Sequence, residues 1–583
     1  MGLETMVWPG VLVVIVGLGI APLHRRVGHV IGAAATLIVL GWVLVVPMGR
    51  HLSGEFLGFD VVFVLVDPAS RFMGFIFGVI ALLTIVYAYS SDRSTPQTGL
   101  SLAYSGLGLG AVFAGDWLSL LVFWELMALA SAVLIWSSGG PAVRAGFRYA
   151  VVHGLGGLFL LGAVTLQYVS VGSMLFEAHP GMVGGGPALL AVVGIGINVG
   201  FVAVHTWIPD AYPKSHFVVS IVLCGFTTKT AVYALYRAFP DGDVAIAYMG
   251  GLMALYGVSY ALVQTDIRSL LSYHIQSQVG YMVAGIGIGS VLGVAGGFAH
   301  LFNNILYKTL LFMVAGVIIY RTGHGDLKKL GGLARLMPVT FVVFLVAAVS
   351  IVGVPGFNGY VSKALVKSAA KEEHLEALKW MFTLAGVGTT MSFAKFGYYA
   401  FFNGEPDTTV RDAKRGQAVS MGTIAGLCLL LGVNPEPLVG LLPGFTGQPA
   451  PPTYTVDQAV EAGAITAVGL AGFLLARRRL ASIGTVPDVD VVLNPLAFFS
   501  MRAVVRSVGA VTDALGTGLE IGTAGLHSVV SRETRNVDDP RWPLSAEWGG
   551  STRRELARRD LTASLLAVIG LCALGLFVLV GMP

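Results

Sequence analysis

Lys229, Lys308, Lys363 and Lys395 each lie inside an apolar stretch long enough to cross a bilayer, and Glu125 does the same in WLSLLVFWELMALASAVLIW. A charged side chain at the bilayer centre costs about 2.5–3.5 kcal/mol on insertion scales, so it is retained where it has a partner, a water-filled cavity or a task. One such lysine is within the reach of helix packing. Four lysines and a glutamate read as a relay that moves protons or cations through the interior of a membrane protein. A lysine taken out of water holds its proton less firmly and a carboxylate more firmly, which brings both towards the range where a proton can be passed on.

The rest of the chain must supply the membrane helices that hold these groups. It has 583 residues, 55% hydrophobic and 12% charged, where an ordinary soluble domain has about 25% charged. The mean hydropathy of +0.78 excludes a soluble globular fold. A spanning helix needs ~20 apolar residues. Such segments recur at 9–23, 28–48, 69–91, 98–114, 117–137, 147–171, 188–212, 216–238, 245–264, 269–287, 293–320, 336–366, 378–402, 416–433, 455–476 and 562–581. The alternating ten-residue pattern of a membrane β-barrel is absent, so the fold class is all-α and polytopic, with about sixteen spans. Loops after odd-numbered spans carry most of the Lys and Arg, from Arg25 and Arg26 to Lys414 and Arg415. The positive-inside rule then places those loops in the cytoplasm and both termini outside. The start, MGLETMVWPGVLVV, lacks a basic n-region and reads as the first span and not as a removed signal peptide.

Two spans carry helix breakers: Pro209 and Pro213 in HTWIPDAYPKSH, and Pro355, Gly356 and Gly359 in SIVGVPGFNGYVSK. Interrupted helices at corresponding places in two halves predict inverted repeats, with a 14-helix core. The expected divisions are N-terminal spans (1–97), an ion-translocating core (98–405), further core helices (406–479), a lateral segment on the cytoplasmic side (480–561) and a final span (562–583). Within the lateral segment, 494–530 reads as a long interfacial helix, or as shorter ones split at its glycines. Cys224, Cys428 and Cys572 are isolated in apolar segments and form no metal or cluster motif. No P-loop or Rossmann fingerprint is present, so neither cofactor nor metal is expected, and no enzymatic centre of the chain's own.

In order along the chain stand GDWLSLLVFWE, HTWIPDAYP, TTKTAVYALYR, QTDIRSLLSYHIQSQVGY, HLFNNILYK and PGFNGYVSK. With these motifs, over residues 60–405, the chain resembles the antiporter-like subunits shared by respiratory complex I and the multisubunit Mrp Na+/H+ antiporters, above all the D-type branch of the Mrp proteins. The resemblance implies a polar axis at mid-membrane: Glu125 on the fifth span, Lys229 on the eighth, His274 and His300 on the tenth and eleventh, and Lys363 on the broken twelfth, with Lys308 and Lys395 extending the series. A histidine needs little adjustment to carry a proton near neutral pH. One position departs from the family. Asn198 stands where a seventh-span lysine would pair with Glu125, so His153, Arg148 or His205 takes that role, or Glu125 rests protonated.

Other readings stand beside these. Lys308 and Lys395 lie close enough to span ends to snorkel, His153 and His205 suit satisfied core histidines, Asp266 and Arg268 a cytoplasmic cap and a surface charge, and Asp116 a cap of the fifth span. The function expected first is the proton-conducting subunit of an Mrp-type antiporter in a prokaryotic cell membrane, with protons and Na+ as its ions, lipid around it, other subunits as partners and no nucleic acid. The alternatives are a pumping membrane-arm subunit of a complex I-like enzyme or membrane-bound hydrogenase, and a non-conducting scaffold.

Overall fold

The computed structural model describes residues 8–404, 410–444, 454–482 and 486–492, with separate short stretches as far as 509. Its helices are α1 (Pro9–Gly19), α2 (Arg25–Val45), α3 (Pro68–Ser90), α4 (Thr95–Phe113), α5 (Trp117–Trp136), α6 (Pro141–Val171), α7 (Gly186–Val199), α8 (Trp207–Lys214), α9 (Phe217–Ala238), α10 (Val244–Val263), α11 (Ile267–Ile288), α12 (Val291–Thr322), the short α13 (Leu333–Leu336), α14 (Pro338–Val352), α15 (Asn358–Glu372), α16 (Glu376–Gly397), α17 (Arg415–Val433), the short α18 (Glu436–Val439) and α19 (Val456–Ser482). Taken with their breaks, these occupy the first fifteen expected spans; the sixteenth, 562–581, lies outside the described residues. Among the described residues, nine helices are long and apolar enough to cross a membrane, and α1, α7 and α14 are shorter apolar helices. In lipid every backbone polar group must be satisfied within the chain, which selects helices for these segments.

Two stretches repeat one another in detail. In the first, α4 is joined to α5 by a three-residue loop ending in Asp116; in the second, α10 is joined to α11 by a loop ending in Asp266. Asp116 accepts from Ser119 N at the start of α5, and Asp266 from Arg268 N and Ser269 N at the start of α11. Each loop then pairs with the segment after the following long helix. Trp117 N donates to Met174 O (3.0 Å) and Phe176 N to Gly115 O (3.1 Å); Ile267 N donates to Gly325 O (2.9 Å) and Leu327 N to Thr265 O (2.8 Å). The next span of each stretch is broken, and both breaks begin at a left-handed glycine: Gly200 at φ 88° and Gly353 at φ 91°. A side chain is strained in that conformation. Each repeat, α4–α9 and α10–α16, holds five helical segments when its broken span is counted once, the odd number that an inverted pair of repeats requires.

Close packing follows from small residues, as expected where lipid offers no hydrophobic drive between helices. Gly250 of α10 lies against the Gly280 carbonyl of α11, and Gly257 against Ser277; a methyl on either would strike backbone. Helices α9 and α12 are buried over almost their whole length, so groups on them reach water only through the protein.

Two features differ from expectation. Residues 49–66 form an antiparallel hairpin, β1 (Gly49–Phe56) and β2 (Phe59–Val66), turning at Leu57–Gly58. The seventh span is interrupted at 200–206, ahead of Pro209, not at Pro209–Pro213. Pro209 falls in the first turn of α8, where its missing N–H has no intrahelical partner to lose; Gly200, not proline, ends α7. The twelfth-span break, 353–357, falls close to the expected place. Val489–Pro583 forms a second unit, and its described residues between 490 and 509 are helical. The rest of the lateral segment is outside the described residues.

Candidate ion pathway

The second repeat holds a connected polar cluster at its broken span. Helix α14 ends at Val352 and leaves its last carbonyls without helical partners. Lys363, in the second turn of α15, donates from Nζ to two of them, Ile351 O (2.6 Å) and Val352 O (3.4 Å). The ammonium thus caps the negative end of a half-helix dipole, 5.1 Å from the centre of the Tyr281 ring. Its neighbour Ser362 lies 3.0 Å from His300 Nδ1, and His300 Nε2 lies 3.3 Å from the Tyr307 hydroxyl. That hydroxyl also meets Gln278 Oε1 (3.4 Å) and accepts from Asn304 Nδ2 (3.3 Å).

Helical spacing explains the grouping. His300, Asn304 and Lys308 recur every four residues on α12 and so share a face. On α11, His274 and Gln278 do the same, and Lys308 Nζ donates to Leu271 O (2.7 Å) one turn before His274. Both ring nitrogens of His274 are buried with no hydrogen-bond partner among the described residues, and so are both side-chain polar atoms of Gln276. Lys229, on the buried α9, donates to Cys224 O of its own helix (2.9 Å). Thr228 and Thr230 beside it keep unpartnered hydroxyls. Lys229, Lys308, His274, His300 and Lys363 are all buried on α9, α11, α12 and α15, with α12 packed against the other three helices, and so form one row; none of the three lysines has a carboxylate partner in the described ion pairs.

Lys395 and Glu125 stand apart from that row. Lys395 is buried and donates to Leu262 O (2.7 Å) and Gln264 O (2.6 Å), the terminal carbonyls of α10, so it sits at a span end. Lys308 is not at an interface: it is fully buried, and the snorkelling alternative does not describe it. Glu125 is half-buried on α5, with Oε1 buried and without a hydrogen bond. It presses on α6 so closely that a methyl at Gly157 would overlap Oε1. Asn198 Oδ1 faces the adjacent Gly156 in the same way and is equally unpartnered. The asparagine and the acid thus face successive glycines of α6, and neither Oδ1 nor Oε1 has a hydrogen-bond partner among the described residues. Of the three substitutes considered, Arg148 pairs with Asp210 (3.2 Å) and His205 with Asp488 (3.4 Å). His153 stacks on Tyr149 (3.9 Å between ring centres) with Trp207 edge-on (4.5 Å).

Sequence reasoning missed Tyr307, Gln278, Asn304 and Ser362. Their signal was present, since buried polar side chains in apolar spans need partners, but they carry no charge to draw attention. Arg268 also differs from its reading as a surface charge: it is half-buried and donates to the Ser215 carbonyl at the end of α8. Asp116 does cap the fifth span, and it also accepts Val62 N of the hairpin (2.8 Å). Among the described residues no three His, Cys, Asp or Glu side chains converge as metal ligands.

Inverted repeats with broken spans and a buried cationic row define an antiporter-like membrane subunit. Residues 114–392 match the family described as NADH:quinone oxidoreductase/Mrp antiporter, TM. The chain is 30% identical over 408 residues to the D-type protein of the Na+/H+ antiporter of Alkalihalophilus pseudofirmus, covering 66% of this chain and 82% of that one. It is 30% identical over 375 residues to the N-type protein of the NADH-quinone oxidoreductase of Desulforudis audaxviator, covering 59% and 74%. Its structure is similar to a chain of an archaeal membrane-bound sulfane sulfur reductase, with TM-score 0.68 and 25% identity over 82% of this chain and 86% of that one. The chain belongs to the antiporter-like subunit family shared by Mrp antiporters and NADH:quinone oxidoreductases.

Proposed function

We propose that this subunit conducts protons in a multisubunit Na+/H+ antiporter of Mrp type, in a prokaryotic cell membrane with both termini outside. The observation that carries the reading is the row of buried cations from Lys229 through Lys308 to Lys363, with His274 and His300 among them, on helices packed round α12. Unpaired ammonium groups in a dry interior cost several kcal/mol each. That cost is met when they exchange protons with one another and with water. The unpartnered polar atoms of His274, Gln276 and Thr228 are sites that bridging waters would satisfy, giving a continuous path. In this reading 98–405 is the conducting core, and 480–561 with the final span braces it against neighbouring subunits. Glu125 and Lys395, off the row, serve the ends of the path.

Likeness to a D-type antiporter protein over 82% of its length supports the antiporter. Equal identity to a quinone oxidoreductase subunit supports a second reading, a pump driven by redox subunits. Inside-out vesicles carrying the whole assembly separate the two. A Na+ pulse that collapses an imposed proton gradient supports antiport, whereas a gradient built only on adding an electron donor and a quinone supports the pump. Proton movement unchanged by Lys229→Ala would remove both.

A further inference from the structure

At Pro487–Asp488, the last residues of the first compact unit, the chain returns to the break in the seventh span. The Asp488 side chain is 7% exposed and both of its oxygens are engaged. The Tyr256 hydroxyl donates to Oδ1 and the Tyr273 hydroxyl to Oδ2, while His205 Nε2 lies 3.4 Å from Oδ2. The Tyr260 hydroxyl donates to Pro487 O (2.9 Å). These three phenols form a column, Tyr256 on Tyr260 at 4.6 Å and Tyr260 on Tyr273 at 5.3 Å between ring centres, both nearly parallel. His205 meets Tyr256 edge-on at 4.9 Å.

The placement joins the two repeats. His205 lies in the break between α7 and α8, in the first repeat. Tyr256 and Tyr260, one turn apart on α10, and Tyr273, near the start of α11, belong to the second. Burial works against the charge on Asp488, but the bonds from His205, Tyr256 and Tyr273 outweigh it and hold the carboxyl at about 2. An ionised acceptor at Nε2 selects the imidazole tautomer with its N–H on that side, as in hydrolase triads. The other nitrogen, Nδ1, is then the acceptor, and it is buried without a hydrogen-bond partner among the described residues.

We propose that Asp488 is a positioning residue that fastens the seventh-span break to the second repeat and fixes His205 with Nδ1 free to take and release a proton. A proton arriving at Nδ1 forms an imidazolium that the carboxylate neutralises. Its departure from the same atom restores the starting tautomer, and Asp488 stays ionised throughout. Among the groups facing the carboxylate are His205 from the break, Tyr256 from α10 and Tyr273 from α11, with Tyr260 on the preceding carbonyl. This rests on the proton-conducting reading above.

The test compares Asp488→Asn, Asp488→Glu, His205→Ala and the double variant Asp488→Asn/His205→Ala in vesicles containing the assembled complex. Asp488→Asn should lower cation-driven proton movement about tenfold, with assembly retained. The pH profile of that movement is recorded for each variant and should change in Asp488→Asn. Asp488→Glu should restore the profile, and the double variant should be no worse than His205→Ala. An unchanged profile in Asp488→Asn, or full additivity in the double variant, would reduce Asp488 to a structural staple and overturn the proposal. If Asp488→Asn does not assemble, Tyr256→Phe/Tyr273→Phe, which weakens the same carboxylate from the other side, must shift the profile in its place. Lys363→Ala run in parallel separates the two ideas. Transport intact there removes the proton reading, whereas transport lost there but untouched in Asp488→Asn removes only this one.

Discussion

The two inverted repeats share a backbone plan but not a chemistry. In the second, the break of the broken span is occupied by an ammonium: Lys363 bonds the carbonyls that the break exposes, and Ser362, His300, Tyr307 and Gln278 continue from it. In the first, the half-span before the break, α7, carries Asn198 and no lysine. The break itself holds His205 against an acid that comes from outside the repeat. The backbone repeat therefore does not dictate where charge is handled. The second half holds Lys308, His274, His300 and Lys363 of the row, while the first contributes Lys229 on α9, a carboxylate pressed on glycine and a histidine paired with Asp488.

The sharpest way to break this comparison is to remove a lysine of the row. Lys229→Ala or Lys363→Ala should reduce cation-driven proton movement by roughly a hundredfold or more, in the range that lost proton-transfer groups show. Arg144→Ala, at an exposed position in the first turn of α6, should leave it intact. Fluorescence of a pH-sensitive dye in inside-out vesicles reads both, and equal losses would argue against a path defined by burial.

A second substitution tests whether the first repeat can be returned to the family pattern. Asn198→Lys should be tolerated while Glu125 is present to receive it. In a Glu125→Gln background the new ammonium is left buried and unpaired, at a cost of about 3–5 kcal/mol. Thermal unfolding of the purified assembly should therefore show Asn198→Lys/Glu125→Gln far below either single variant. Additive effects would mean the two side chains do not meet.

Gly157→Ala should displace Glu125, because the added methyl overlaps its Oε1. Overpacking of this kind costs about 1–3 kcal/mol. Gly154→Ala, three residues earlier on α6 and open to a methyl, should show none of that loss in the same melt. The smallest effect belongs to a surface clip. Asp92 accepts from Lys414, its main stabilising partner, and from Tyr320, with Arg25 nearby (3.2 Å), and its carboxyl is held down at about 2. A depressed carboxyl adds stability above its unfolded value, ~3.9, and loses it as pH falls through about 2. Asp92→Asn should therefore flatten the acid limb of the stability curve between those values and change little at pH 7, since exposed pairs contribute little.

What the sequence revealed follows from what costs most in lipid. Charged residues in apolar spans and breakers at Pro355–Gly356 announce themselves, so the row and the twelfth-span break were legible. The family motifs placed His274 and His300. The break before Pro209 was misplaced because a proline is harmless in the first turn of a helix, while Gly200, which does end α7, looks like any other glycine. The hairpin at 49–66 was hidden because its second strand, FDVVFVLV, is as apolar as the spans around it. Asp488 carries no local signal at all: its meaning depends on three tyrosines and a histidine more than two hundred residues away.

The central claim is that proton movement depends on the lysine row centred on the second repeat far more than on Glu125 at the end of the path. It is tested most directly by the initial rate of Na+-induced proton movement in vesicles containing the assembled complex, with Lys363→Ala and Glu125→Gln measured side by side at matched protein levels. The account predicts a rate near background for Lys363→Ala and a loss of no more than about fivefold for Glu125→Gln, as expected for a group at the margin of a relay and not within it. Full activity in Lys363→Ala together with abolition in Glu125→Gln would contradict it.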